Sequence, residues 1–158
     1  MIYPGKSQRP DMPGGIYTLL LRLDATKEIG IGALGRTRFH EGYYAYTGSA
    51  RSSSGWRRIA RHIEIIDGIR TARRWHIDYL LPHTTLEGLV ATSTTEDLEC
   101  SIADMIGLAC RPYIRFGCSD CRCNSHLHYS EDLGDLKEAV CLAHLRAGRS
   151  AKRTISER

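Results

Sequence analysis

No apolar run in this chain approaches the ~20 residues that a membrane-spanning helix requires, and Met1 to Pro13 contains no apolar stretch of the kind that marks a secretory leader. The expectation is a soluble, cytoplasmic protein with no membrane partner. Internal repeats and long low-complexity segments are missing too, which excludes solenoids and propellers. Asparagine occurs once, at Asn124, and a net charge of +4 is too small to identify a partner by itself. Because no secretory signal accompanies them, the six cysteines read as reduced thiols or metal ligands, not as a disulfide framework.

The 158 residues, 42% of them hydrophobic, suffice for one domain with a core. The expected organisation is an extension over residues 1–13, a single domain over 14–147 and a basic tail over 148–158. Charge is distributed unevenly within it. Residues 48–76 carry Arg51, Arg57, Arg58, Arg61, Arg70, Arg73 and Arg74 against only Glu64 and Asp67, whereas residues 87–138 are predominantly acidic. The tail is basic again and reads either as an arm able to touch phosphate or as a solvated end.

Gly15 to Asp24 alternates weakly and is rich in Tyr, Thr and Leu, predicting a strand, with Glu28 to Leu34 as its hairpin partner. Arg36 to His40 and Tyr43 to Thr47 suggest a second hairpin, completing a four-stranded, mostly antiparallel sheet. Trp56, Ile59, Ala60, Ile63 and Ile66 recur at helical spacing, so a helix docks on that sheet. A short helix over Trp75 to Leu81 and a strand over Leu86 to Thr94 follow. Ser93-Thr94-Thr95-Glu96 then reads as a capping box opening a helix to about Ala109. A strand near Ser125 to Tyr129 and a helix from about Asp132 to Ala147 complete an α+β sandwich, a small antiparallel sheet flanked by helices.

At 100° per residue, Arg58 and His62 lie about 40° apart on the arginine-rich helix, at the border of its apolar stripe. A guanidinium there can grip phosphate, and an imidazole can move protons near neutral pH. A solvated basic face would look the same. Glu99 falls on the stripe of Ile102, Ala103 and Ile106, where a carboxylate needs an arginine, a hard cation or a raised pKa, unless it is a first-turn glutamate held by the helix dipole. Cys100 beside it is no ligand for magnesium. Tyr17 and Tyr46, taken alone, are ordinary strand residues.

Gly15-Ile16-Tyr17, then Tyr46-Thr47-Gly48-Ser49-Ala50, then Arg58 and His62, then Glu99, follow one another in the order of the GIY-YIG nuclease superfamily, which the chain resembles. Gly32-Ala33-Leu34-Gly35, Gly42-Tyr43-Tyr44-Ala45-Tyr46, Trp75-His76-Ile77-Asp78-Tyr79-Leu80-Leu81, Glu99-Cys100 and Ser119-Asp120-Cys121-Arg122-Cys123 resemble its DUF123 branch more closely, over roughly residues 14–130. The stretch between Tyr17 and Tyr46 is longer than the superfamily pattern and reads as an inserted hairpin. The resemblance implies phosphodiester hydrolysis in nucleic acid, DNA foremost, with Mg2+ or Mn2+ held by Glu99. It implies Tyr17 as general base or water positioner, Tyr46 on the phosphate or water network, Arg58 on the developing charge and His62 as an auxiliary proton-transfer group. Arg51, Arg57, Arg61, Arg73 and Arg74 would hold the nucleic-acid backbone, and Asp120 and His126 would border the site.

Cys118, Cys121, Cys123 and His126 invite a Zn2+ reading, but they crowd one short loop, whereas structural zinc sites usually join ligand pairs from separate segments. The spacing therefore argues against zinc, unless His76, His83, Cys110 or His128 supplies a distant ligand. Two alternatives to a nuclease stand beside it: a non-catalytic nucleic-acid-binding module of the same fold, and a zinc- or thiol-based regulatory protein centred on the cysteine loop.

Overall fold

Gly15–Leu23 forms β1, and every residue of it except Arg22 is buried, as the nearly continuous apolar run GIYTLLLRL requires. Its weak alternation has a physical cause: the strand is central and covered on both faces. A computed structural model describes residues 14–118 and 121–156; the extension expected over residues 1–13, Asp120 and the last two residues of the tail lie outside the described residues.

Strand β1 pairs antiparallel with β4 (Gly42–Ser49) on one side and β5 (Thr85–Ser93) on the other. β4 continues to β7 (Leu127–Ser130), and β7 to the two-residue β6 (Arg111–Pro112), giving a five-stranded order β5-β1-β4-β7-β6 with antiparallel pairings. Helices cover both faces, so the α+β class is the one expected. The pairing differs from expectation. β2 (Lys27–Gly30) and β3 (Arg36–Phe39) pair only with each other in a separate ribbon, because β2 buries Ile29 alone and has no second apolar face for a covered sheet. Ile29, Ile31 and Phe39 pin this inserted hairpin to the core.

Tyr17, Leu19, Leu21 and Leu23 face α1 (Arg57–Ile66) and α2 (His76–Leu80), packing with Ile59, Ile65, Ile77 and Leu80. Ile16 and Leu20 face α3 (Glu99–Gly107) and α4 (Leu133–Ser156), packing with Ile102, Ile106, Leu136 and Val140. Helix α3 begins five residues later than the capping box suggested, with Leu98 and not Ser93 in the N-cap position. Ser93 stays in β5 opposite Gly15, and the Thr94 hydroxyl accepts from the Glu96 amide in a local turn, so the capping groups are spent before the helix starts. Helix α4 runs beyond Ala147 to Ser156; Gly148 weakens it without stopping it, and no proline follows. None of the described helices is long and apolar enough to cross a membrane.

A polar network ties α4 to the sheet: Thr18 Oγ1 lies 3.0 Å from Thr47 Oγ1 and 2.8 Å from His144 Nε2, and Thr92 Oγ1 lies 2.9 Å from His144 Nδ1. Burial pushes the His144 imidazole down to about 4. An unfolded histidine takes its proton near pH 6.5, so protonation below that value favours the unfolded chain. His144 thus contributes stability in full above about pH 6.5 and loses it as the pH falls toward 4. Thermal melts from pH 7.5 to 4.5 should show a falling Tm, with a shallower slope in His144→Gln; equal slopes would show that His144 is not the titrating group.

Candidate active site

The two motif glycines are dictated by close approach. A Cβ at Gly15 would stand 1.9 Å from the Thr92 carbonyl oxygen of β5, and one at Gly48 would stand 2.5 Å from the Tyr17 hydroxyl. Gly48 is opposite Tyr17 in the β1–β4 register, and its bare backbone lets the tyrosine ring lie across the neighbouring strand. The Tyr17 hydroxyl then reaches α1, 2.6 Å from His62 Nε2.

Helix α1 buries Ile59, His62 and Ile65 and sets two arginines beside them. Arg58 Nη1 donates to the Ser49 carbonyl at 2.6 Å, and its guanidinium lies 4.5 Å from the centroid of the Trp75 ring. Arg61 lies 4.3 Å from the same ring and makes a bidentate pair with Asp78, at 2.9 and 2.8 Å. Asp78 is fully buried and also accepts from the backbone amides of Arg74 and Trp75, at 2.7 and 3.0 Å. Burial by itself would raise its pKa; the Arg61 and backbone hydrogen bonds outweigh that and hold the carboxyl below its usual range. The N-terminus of α2 is thereby locked to α1.

These elements enclose a cavity of about 380 Å³. Tyr17, Tyr46, Arg58, His62 and Glu99 all line it, together with Arg51 and Arg74. Arg57, Arg61 and Arg73 do not: Arg57 is exposed, Arg61 is committed to Asp78, and Arg73 donates to the carbonyls of Arg70 and Ala72 at 3.4 Å each. Trp75, His76, Asp97, Cys100 and His126 complete much of the wall.

Burial, then the neighbouring Tyr46, drives the Tyr17 pKa well up, with Arg58 pulling the other way. Burial and then Glu99 raise that of Tyr46. Burial pushes His62 down to about 3, Arg61 and Arg58 adding to it and Asp78 opposing. At neutral pH, then, Tyr17 is a phenol and His62 a neutral imidazole. One hydrogen bond joins the Tyr17 hydroxyl and Nε2, and the other ring nitrogen, Nδ1, has no hydrogen-bond partner among the described residues.

Glu99, the first residue of α3, is partly exposed, and its Oε1 stands 2.8 Å from Nδ1 of buried His126. The approach is short but poorly aligned, so Nδ1 gains an ionic contact without a well-directed hydrogen bond. His126 Nε2 faces sulfur: 3.4 Å to Cys121 Sγ and 3.7 Å to Cys100 Sγ. Cys100, Cys121, Cys123 and His126 each offer one donor atom, all within 4.8 Å of one another, a group able to hold a metal ion. This corrects the spacing argument, since α3 supplies Cys100 from a separate segment. Cys118 lies outside that group of four, its Sγ donating to the Phe116 carbonyl at 3.4 Å and 3.8 Å from Cys123 Sγ.

Two residues of consequence escaped sequence reasoning. Asp78 was detectable as an acidic residue at the third position of a short helix, suited to accept from the backbone before it. Cys100 gave no signal beyond its place next to Glu99.

Fold and cavity together define an α+β protein with a basic cleft, one candidate metal-binding carboxylate and an adjoining Cys3His group. Residues 16–149 match the family described as domain of unknown function DUF123, and the chain belongs to that family. No curated protein and no solved structure matches it.

Asp78→Ala leaves Arg61 unpaired and two backbone amides without an acceptor. A loss of about 3–5 kcal/mol in urea unfolding is expected. Gly48→Ala should displace Tyr17 from His62, lowering Tm and altering the His62 ring resonances in NMR; an unchanged His62 spectrum would contradict the close-approach account.

Proposed function

We propose that this chain is a metal-dependent endonuclease of the GIY-YIG type, hydrolysing phosphodiester bonds in nucleic acid, with DNA as the favoured substrate. The observation supporting this is that Tyr17 from β1, Tyr46 from β4, Arg58 and His62 from α1, and Glu99 from α3 line one cavity. Magnesium needs only one or two protein carboxylates, the rest of its shell being water and substrate oxygen. Glu99 on the cavity wall fits that need; Asp97, also on the wall, is paired with Arg51 at 3.4 Å. When bound, Mg2+ or Mn2+ would neutralise phosphate charge and favour ionisation of water.

The chain's own residues do the rest. Arg58 grips a phosphate oxygen from a position fixed by Ser49 and Trp75, so little reorganisation is needed as charge develops on the phosphorane. Tyr17 takes the proton of the attacking water while its own proton passes to His62 Nε2, so a phenol with a raised pKa never has to exist as a free phenolate. Water oxygen bonds to phosphorus as the ester P–O bond breaks, and the departing alkoxide oxygen takes a proton from solvent at the mouth of the cleft. A bound phosphate offsets the positive field of Arg58 and Arg61, which makes His62 a better proton acceptor in the complex than in the free protein. Tyr46 orients the phosphate. Arg51 and Arg74 hold the flanking backbone, a recognition through phosphates that carries little base readout and weakens with salt.

Labelled single-stranded, duplex and branched DNA and RNA, incubated with Mg2+ or Mn2+, test this reading. Cleavage is expected, with Tyr17→Phe, Arg58→Ala and Glu99→Gln each slowing it about 100-fold or more. Salt-sensitive binding without cleavage of any substrate would replace the enzyme by a binding module.

A further inference from the structure

We propose that Cys100, Cys121, Cys123 and His126 form a structural zinc centre that clamps the cysteine loop to the start of α3 and positions Glu99. The nitrogen–sulfur distances suit one tetrahedral ion, and the Cys121 and Cys123 sulfurs, 3.1 Å apart, must separate to about 3.8 Å when both bind it. Zn–S bonds of about 2.3 Å and Zn–N bonds of about 2.0–2.1 Å put sulfur and nitrogen ligands roughly 3.6 Å apart. His126 Nε2 lies 3.4 Å from Cys121 Sγ and 3.7 Å from Cys100 Sγ, on either side of that value. Cys121 and Cys123 sulfurs are 3.1 Å apart, too far for a disulfide bond of about 2.05 Å. The described cysteines are all free thiols.

Three thiols and one imidazole nitrogen are a soft donor set, suited to zinc and unsuited to magnesium. All four protein ligands are present, so the site is closed and holds the ion for structure, leaving no position for substrate. The other nitrogen of the same ring faces Glu99 Oε1 at 2.8 Å, the arrangement in which a carboxylate orients a metal-bound histidine from outside the ligand shell. Zinc on Nε2 leaves the ring proton on Nδ1, the nitrogen 2.8 Å from Glu99 Oε1, where a small turn of the carboxylate completes a hydrogen bond. Glu99 is thus a positioning residue for the zinc site while it borders the cavity. The centre does not depend on the nuclease reading, because its ligands are defined by their own geometry.

Protein purified without added metal and dialysed should carry about one zinc per chain by elemental analysis. Cys118→Ser should keep it; Cys100→Ser and Cys123→Ser should lose it. Glu99→Gln should retain the site with affinity for Zn2+ lowered about 10- to 100-fold in chelator competition. Because the cysteine variants could unfold, wild-type protein refolded with Co2+ gives an independent reading: thiolate-to-cobalt charge transfer with tetrahedral visible bands is expected. Absence of zinc together with absence of those bands would overturn the proposal. So would zinc retained by Cys100→Ser but lost by Cys118→Ser, or an intact mass showing a Cys121–Cys123 disulfide.

Discussion

Tyr17 reaches His62 only because Gly48 carries no side chain. The β1–β4 register sets Tyr17 against Gly48 and Tyr46 against Leu19, so both tyrosines emerge on the face that α1 covers. With Tyr17 laid across the strand, its hydroxyl must find a partner in the helix above, because an unmatched buried hydroxyl is costly. His62 is that partner, and its place on the buried side of α1 fixes the rotation of the helix, which in turn directs Arg58 to the Ser49 carbonyl. Removing one hydrogen from Gly48 and adding a methyl group would disturb each of these steps.

Much of the local structure was legible because it is encoded locally. The apolar stripe of α1, the strand pattern of β1, and the Tyr43-Tyr44-Ala45-Tyr46 run of β4 all point to the elements that form. What was not legible depends on competition between distant segments. β2 follows β1 directly and alternates acceptably, yet β5, more than fifty residues later, takes the place beside β1 because it offers buried residues such as Leu89 to the covered sheet. The start of α3 was misplaced for a similar reason: Ser93 is a good cap in isolation, but the ladder with Gly15 uses it first. For the cleft, Tyr17, Tyr46, Arg58, His62 and Glu99 could be named from motif order, whereas Cys100 could not be joined to the cysteine loop until the packing of α3 against β7 was known.

The two α1 arginines over Trp75 show how one helix turn separates holding the fold from meeting a ligand. Arg61 is neutralised: Asp78, fully buried, takes both of its terminal nitrogens. Arg58 spends one donor on a carbonyl, which is polar but uncharged, and among the described residues no carboxylate forms an ion pair with it. Its positive charge therefore remains uncompensated at the cavity wall, while the aromatic ring beneath shields part of it from water and strengthens its field. A half-buried cation with spare donors is stabilised by an incoming anion, and a planar guanidinium favours one with two oxygens on the same centre. The phenol and the neutral imidazole beside it add no negative charge that would repel such a group. Phosphate in a nucleic-acid backbone would meet these demands, which is why the proposed chemistry is assigned to the cavity and not to the more exposed Arg57 or Arg73.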